Sequence, residues 1–142
     1  LMLFLAREVG RPVKWVDTRE GLSVTTVHSR GQQQHATLAG TRDGTITALS
    51  VTNNVDLGAY LASNGPGAPL VLTGRSVTGA YRIPNPFYEA NLAFANTVSL
   101  GPARGAGRME AILLIERLID TYAHEIGMSP AEVRKKNMVR PD

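Results

Sequence analysis

Cysteine is absent from this chain of 142 residues, and aromatic residues make up only 6% of it. Without a thiol, the chain can form no disulfide, no thiolate zinc site and no iron–sulfur ligation of its own. Apolar runs are also short. None approaches the ~20 residues that a membrane-spanning helix needs, and residues 1–6 are too few for the core of a signal peptide. We therefore expect a globular domain without a membrane partner.

The chain is basic, but its charges are dispersed. The formal net charge is +3, and fifteen Lys and Arg residues are scattered among twelve acidic ones. No basic run is interleaved with aromatic residues, as nucleic-acid-binding surfaces require. The one basic cluster, Arg134 to Lys136, lies at the end of a predicted helix, where positive charge complements the helix dipole. No nucleic-acid partner is expected.

The first residues predict a helix end and a short strand. Residues 1–9 repeat apolar side chains at helical spacing, and Gly10 follows as a C-cap. A strand is predicted at residues 13–17. Because Leu1 precedes Met2 and the chain opens within a helical pattern, we expect it to be a piece of a longer polypeptide.

The next part of the chain predicts a β-hairpin. Residues 33–41 and 45–56 have β-rich patterns, and the Asp43–Gly44 pair between them is typical of a hairpin loop. In the second strand, Leu49 lies on the more apolar face. We predict that this face packs on the core.

The C-terminal half predicts one strand and two helices. Residues 87–98 carry large apolar side chains on both faces, which is typical of a central strand. Residues 110–126 have helical periodicity, Gly127 ends that helix, and a capping box at Ser129 starts a second one that ends at residue 137. The predicted apolar stripe of the longer helix is Ile112, Ile115, Leu118, Ile119, Tyr122 and Ile126.

Residues 58–86 interrupt this regular pattern. They contain several glycines and four of the eight prolines, so they form no regular core strand. Long irregular segments often form binding loops or line interfaces. Overall we predict an α+β fold for a single domain, residues 1–142, in which an antiparallel sheet of about four strands packs against helices in two layers.

The most informative segment is residues 99–110, with the sequence SLGPARGAGRME. It places Arg104 between a predicted strand and a predicted helix, and Gly105 and Gly107 allow a sharp turn and a close approach to the main chain. Backbone N–H groups at a helix start can bind an oxyanion or a cofactor. The spacing fits neither the dinucleotide fingerprint nor the phosphate loop. From these residues alone, a purely steric turn and a ligand-binding corner both remain open.

These motifs resemble the large, molybdopterin-binding subunit of the molybdenum hydroxylases, the family of xanthine dehydrogenase, aldehyde oxidase and aerobic carbon monoxide dehydrogenase. The specific matches are the glycine loop at residues 96–111 and the helix pair at residues 115–137. Residues 10–20 and 44–60 give further similarity. The resemblance covers nearly the whole chain.

The resemblance implies a cofactor site at the glycine loop. The backbone of Ala103 and Arg104, with Gly105, would approach molybdenum and its pterin, and Ala106 would shape the side that faces substrate. In the irregular segment, Leu72 and Arg75 are candidate substrate contacts. For Arg75, a solvated loop cation is the competing interpretation.

The resemblance also implies a reaction and its partners. Such an enzyme hydroxylates an aldehyde or an N-heteroaromatic carbon with water as the oxygen source, and electrons pass to iron–sulfur clusters and FAD on partner domains or subunits. The catalytic glutamate of this family belongs to the remainder of the large subunit, so no catalytic residue is expected here. A cytoplasmic location is expected, with the periplasm as the alternative. The rival hypothesis is a non-catalytic or degenerate domain whose glycine loop is a turn or a protein contact.

Side chains of other chemistry are expected to be structural. The three histidines, His28, His35 and His124, are not spaced as a metal site, so we predict no metal bound by side chains. Glu110 is interpreted as an acidic residue in the first turn of a helix, where the dipole favours a carboxylate.

Departures from the family pattern limit the range of substrates that we expect. Carbon monoxide dehydrogenases of this type carry a cysteine after the loop arginine, where this chain has Gly105, so copper-dependent oxidation of carbon monoxide is not expected. Xanthine dehydrogenases carry a bulky aromatic residue where this chain has Ala106. The small side chain favours aldehydes or larger heteroaromatic substrates. Met109 replaces a common proline at the helix start.

Overall fold

The predicted hairpin is the centre of the sheet. In the computed structural model, which describes residues 1–140, β1 (Gln32–Gly40) and β2 (Ile46–Asp56) pair antiparallel. The loop between them is closed by the Thr41 N–H, which donates to the Thr45 carbonyl at 2.9 Å. Gly44 adopts φ 86° in this loop, a conformation that favours glycine. The hairpin prediction is confirmed.

The third strand corrects the predicted sheet. β3 (Asn85–Ala93) pairs parallel to β2, so the described sheet has three strands in the order β1-β2-β3 and is mixed, not four-stranded and antiparallel. A parallel pair needs a long crossover, which residues 57–84 provide. β3 also lies at the edge of the described sheet. Phe87 of this strand is 56% exposed. The prediction that this strand is central, which was based on large apolar side chains on both faces, is therefore wrong.

The core lies between the sheet and a long helix. Leu49, Val51 and Val55 of β2 are buried, which confirms the predicted core face. They share this side of the sheet with α4 (Arg108–Ile126), which begins two residues before its predicted start. The α+β class of the fold is confirmed.

The buried face of α4 differs from the predicted stripe. Its fully buried residues follow a four-residue spacing: Ala111, Ile115, Ile119 and Ala123. Ile112, which was predicted to face the core, is 49% exposed. The prediction gave weight to large side chains, whereas two alanines lie along the ridge that faces the sheet and let the helix pack closely.

The N-terminal segment is helical where a strand was predicted. α1 (Met2–Val9) ends at Gly10 with φ 61°, as expected. Residues 13–17 form no strand, since no other described strand pairs with them. They lead instead into α2 (Arg19–Thr25), whose N-cap Thr18 accepts a hydrogen bond from the Gly21 N–H at 3.0 Å.

The crossover and the C-terminus are largely as predicted. The crossover has no strand but contains a π-helical turn (Ala68–Leu72) that runs directly into α3 (Thr73–Ser76). After Gly127, which has φ 71°, α5 (Pro130–Asn137) begins at the predicted capping box. There the Glu132 carboxylate accepts from the Ser129 N–H at 3.3 Å.

Candidate functional site

The glycine loop forms a tight corner before α4. Three successive residues have positive φ: Gly105 at 98°, Ala106 at 43° and Gly107 at 90°. Positive φ costs an alanine of order 1–3 kcal/mol, so the strained Ala106 must be held by its surroundings. Its N–H donates to the Ala103 carbonyl at 2.8 Å, which closes the turn. The corner is therefore a defined structure with stored backbone strain.

Gly107 packs directly on the crossover. The buried Thr73 hydroxyl lies 3.2 Å from the carbonyl oxygens of both Gly107 and Ala68, and it donates to either one. A Cβ at Gly107 would lie 2.6 Å from Thr73 Oγ1 and 2.9 Å from Thr73 N. Only glycine fits this contact, which fixes the start of α4 against α3.

The entry to the loop is held by the segment before β1. The His28 N–H donates to the Ser99 carbonyl at 3.1 Å, and the Gly101 N–H donates to the His28 carbonyl at 2.7 Å. The His28 ring Nε2 lies 2.9 Å from the Ser23 carbonyl oxygen. His28 thus contributes a structural bridge, as predicted for the histidines. His35 lies in β1 and His124 in the last turn of α4.

An arginine contacts the corner from the same segment. Arg30 Nη2 donates to the Arg104 carbonyl at 3.1 Å, and Arg30 Nε lies 3.5 Å from Glu110 Oε1. Arg30 itself has φ 67°. Glu110 lies in the first turn of α4, as predicted, and its Oε2 is buried with no hydrogen-bond partner among residues 1–140.

A narrow cleft runs between the corner and the sheet. Its walls mix apolar side chains with backbone, and Arg30 and Glu110 supply its charged groups. The lining residues are Ser29, Arg30, Gly31, Gln32, Val55, Ala68, Pro69, Leu100, Gly101, Pro102, Ala103, Ala106, Gly107 and Glu110.

The structure separates the predicted site residues into two groups. Ala103 and Ala106 line the cleft, whereas Arg104, which is exposed, and Gly105, which is half-buried, do not. Leu72 is half-buried and Arg75 is exposed, and neither lines the cleft. Their neighbours Ala68 and Pro69 line it instead.

The corner has unused hydrogen-bond donors. Among residues 1–140, the N–H groups of Ala103, Arg104, Gly105 and Gly107 have no protein acceptor. The first-turn N–H groups of α4 add to them, as at the start of any helix. Several donors with positive partial charge therefore lie close together in the chain at the start of α4, and those of Ala103, Arg104 and Gly105 belong to residues that are not buried, which favours an electronegative ligand.

A buried polar network holds two residues of the cleft lining, Gln32 and Pro69, in place. Asn53 is fully buried, and its Nδ2 donates to Gln32 Oε1 at 2.6 Å and to the Tyr88 hydroxyl at 3.0 Å. The Tyr88 hydroxyl in turn donates to the Pro69 carbonyl. Burial raises the pKa of Tyr88, which keeps the hydroxyl a neutral donor. The network ties the crossover to all three strands.

Sequence reasoning missed three contributors to this site. Arg30 gave no local signal, because its partners lie more than seventy residues along the chain. Thr73 was only one of several residues in an irregular segment. For Glu110, the first-turn position was predicted, but its ion pair with Arg30 was not.

Two negative findings concern the described residues. In residues 1–140, no group of three or more His, Cys, Asp or Glu side chains could hold a metal ion. None of the helices in this part of the chain combines the length and the apolar character needed to cross a bilayer.

Comparison with known proteins adds the family context. The family model described as "Molybdopterin cofactor-binding domain" matches residues 1–138. The carbon monoxide dehydrogenase large chain of Hydrogenophaga pseudoflava is 35% identical over 136 residues, which is 94% of this chain and 17% of that protein. Subunit gamma of the 6-hydroxypseudooxynicotine dehydrogenase complex of Paenarthrobacter nicotinovorans is 33% identical over 138 residues, again 94% and 17%.

A search of solved structures gives a match of the same kind. Quinoline 2-oxidoreductase from Pseudomonas putida 86 superimposes with a TM-score of 0.82 at 31% sequence identity. The match covers 97% of this chain and 18% of that one. The chain therefore spans about a sixth of the length of these proteins.

Proposed function

Because the chain belongs to the molybdopterin cofactor-binding domain family, we propose that it forms part of a molybdenum hydroxylase that oxidises an aldehyde or an N-heteroaromatic compound. Water supplies the oxygen atom, and electrons leave through iron–sulfur clusters and FAD on partner domains or subunits. In this proposal, residues 1–142 act as one domain of a large subunit, and the catalytic base belongs to the remainder of that subunit.

One observation carries the proposal: the corner before α4 presents unused amides on an accessible face. Arg104 is exposed, and Ala103, Gly105 and Ala106 are half-buried. Donors on an accessible face bind water when no ligand is present, and a ligand can replace that water. The donor set fits an electronegative cofactor, since main-chain N–H groups bind oxygen and sulfur acceptors without side-chain disorder.

The residues would then have distinct roles. The backbone of Ala103, Arg104 and Gly105 would hold the molybdenum cofactor, and the methyl group of Ala106 would border the substrate. When bound, the cofactor supplies the metal-centred redox chemistry, and the chain supplies binding and orientation. Leu72 and Arg75 stay candidate substrate contacts, although their position outside the cleft supports them less than Ala106.

Two small residues of the corner, Gly105 and Ala106, support the choice of substrate class. Gly105 stands directly after Arg104, and the chain has no cysteine, so a bridging thiolate is not available at this corner. Ala106 leaves room where a large aromatic residue would stack on a bicyclic purine. Relatives whose names concern nicotine derivatives and quinoline are compatible with a heteroaromatic substrate. A cytoplasmic location, with the periplasm as the alternative, stays a prediction.

Substitutions in the complete enzyme test the cofactor role. Gly105→Val places a branched side chain at φ 98°, where its Cβ would lie 2.6 Å from Met109 Cγ, and so displaces the corner. We expect this variant, and Arg104→Ala to a smaller degree, to lose molybdenum and pterin content together with turnover. Gly67→Ala is the matched control, because an added Cβ there meets nothing within 4 Å. Full cofactor content and turnover in both loop variants would favour the non-catalytic domain instead.

A further inference from the structure

The contact between Arg30 and the corner has a directional consequence. The peptide unit that joins Arg104 to Gly105 is trans, since residues 1–140 contain no cis peptide bond. In a trans peptide, the carbonyl and the following N–H point in opposite directions. Because Arg30 Nη2 holds the Arg104 carbonyl at 3.1 Å, the Gly105 N–H must point away from Arg30.

From this geometry we propose that Arg30 is a positioning residue that fixes the Gly105 amide on the side of the corner opposite Arg30, where it can donate to the cofactor. The inference rests on the proposed function for the identity of the ligand. The orientation itself follows from this chain alone. With two glycines and a strained alanine in the corner, the 104–105 peptide could otherwise rotate, because glycine tolerates most backbone conformations.

Glu110 makes the arginine a fixed support. Arg30 divides its guanidinium between two partners, with Nη2 on the Arg104 carbonyl and Nε 3.5 Å from Glu110 Oε1. The planar fork of arginine allows both contacts at a fixed angle, which a lysine ammonium cannot reproduce. The Glu110 side chain is 14% exposed and that of Arg30 is 46% exposed, so the pair is shielded from water on the Glu110 side only.

The backbone of Arg30 is itself strained to make this contact. Its φ of 67° is uncommon for a residue other than glycine. Residue 30 follows the bridge between His28 and the loop, and Gly31 leads directly into β1. A left-handed residue at this point turns the side chain back toward the corner. Strained residues of this kind cluster at active sites and ligand-binding sites.

Amide hydrogen exchange in the complete protein tests the inference. Arg30→Asn removes the guanidinium, and asparagine tolerates the left-handed backbone, so the fold is retained. We expect the Ala106 amide, which donates to the Ala103 carbonyl at 2.8 Å, to exchange about tenfold faster, the low end for the loss of a hydrogen bond to a charged group. Cofactor release should accelerate by a similar factor. Amides of α5 should not change.

Arg42→Asn provides the control. Arg42 is an exposed arginine in the hairpin, and it makes no ion pair or side-chain hydrogen bond within the described part of the chain. Exchange of the Ala106 amide that is equal in the Arg30 and Arg42 variants would overturn the inference. If the unaltered protein carries no molybdopterin, the proposed function fails instead. Exchange of the Ala106 amide then still reports on Arg30, because this amide is hydrogen-bonded within the chain and the Arg30 contact needs no cofactor.

Discussion

The two ends of α4 use their polar groups in opposite ways. Near its C-terminal half, where α5 packs, side chains pair with one another. Arg134 donates to Glu116 Oε2 at 2.7 Å and to Asp120 Oδ1 at 2.8 Å, and the Tyr81 hydroxyl donates to Glu116 Oε1 at 2.7 Å. At the N-terminal end, the glycine corner leaves several amides without a protein acceptor in residues 1–140.

This difference in hydrogen bonding distinguishes the region that stabilises the fold from the region that is available to bind a ligand. Asn137 shows the structural case: its side chain accepts from the Ile46 N–H at 2.9 Å and donates to the Gly44 and Val133 carbonyls, each at 2.8 Å. Hydrogen-bond capacity that is used inside the protein stabilises the fold. Capacity left unused on an accessible, strained corner is available to a ligand.

The largest effect on stability is expected for Asn137→Ala. The substitution leaves the Ile46 N–H and the Gly44 carbonyl buried without partners, and each such group costs ~1–3 kcal/mol. We expect amides of β2 and α5 to lose about 3 kcal/mol of protection against exchange. Cofactor content should fall less than it does in the Gly107→Ala variant described next. Asn64→Ala, at an exposed position, should change neither. Unchanged protection in the Asn137 variant would contradict the structural role of this region.

Gly107→Ala is expected to have a smaller effect on stability but a larger one on cofactor content. Alanine at φ 90° is strained, and its Cβ would press on Thr73. We expect the substitution to lower the local free energy of opening by about 2 kcal/mol, measured as faster amide hydrogen exchange at the start of α4. Gly67→Ala, with open space around it, should match the unaltered protein in both measurements. Equal cofactor content in the Gly107→Ala and Gly67→Ala variants would contradict the role of the N-terminal end of α4 in binding the cofactor.

The smallest effect concerns acid stability at the hairpin. The hydrogen bond from Lys136, and then that from Thr41, hold the pKa of Asp43 far below its ordinary value of 3.8. A lowered pKa in the folded state stabilises the fold above pH 3.8, and this contribution is lost as the pH falls below that value. Asp43→Asn should therefore weaken the decline of the melting temperature in acid, and Lys136→Met should act in the same direction. Lys135→Met serves as the control. A decline in acid that all of these proteins share would exclude the pair as its cause.

The elements that sequence reasoning predicted well depend on local signals. The Asp43–Gly44 loop, the glycine at position 127 and the capping box at Ser129 each fix a backbone conformation within a few residues. The glycine corner was found in the same way. Motif similarity then gave the family, which no local rule could supply.

The features that it missed depend on contacts between distant residues. The parallel pairing of β3 with β2 and the position of β3 at the sheet edge are set by the long crossover. The buried ridge of α4 follows from which side chains fit against the sheet, and two of them are alanines. Arg30 and Thr73 support the corner from segments that are far away in sequence, and no periodicity or spacing indicates such partners.

Amide exchange in the complete protein, with and without its cofactor, separates a ligand-binding corner from a structural turn. We expect cofactor binding to slow exchange at Ala103, Arg104 and Gly105, whose N–H donors lack acceptors within the described chain, and to leave residues 130–137 unchanged. Equal exchange at these three residues in the two states would show that their amides do not face the cofactor, and it would contradict the proposed role of the corner.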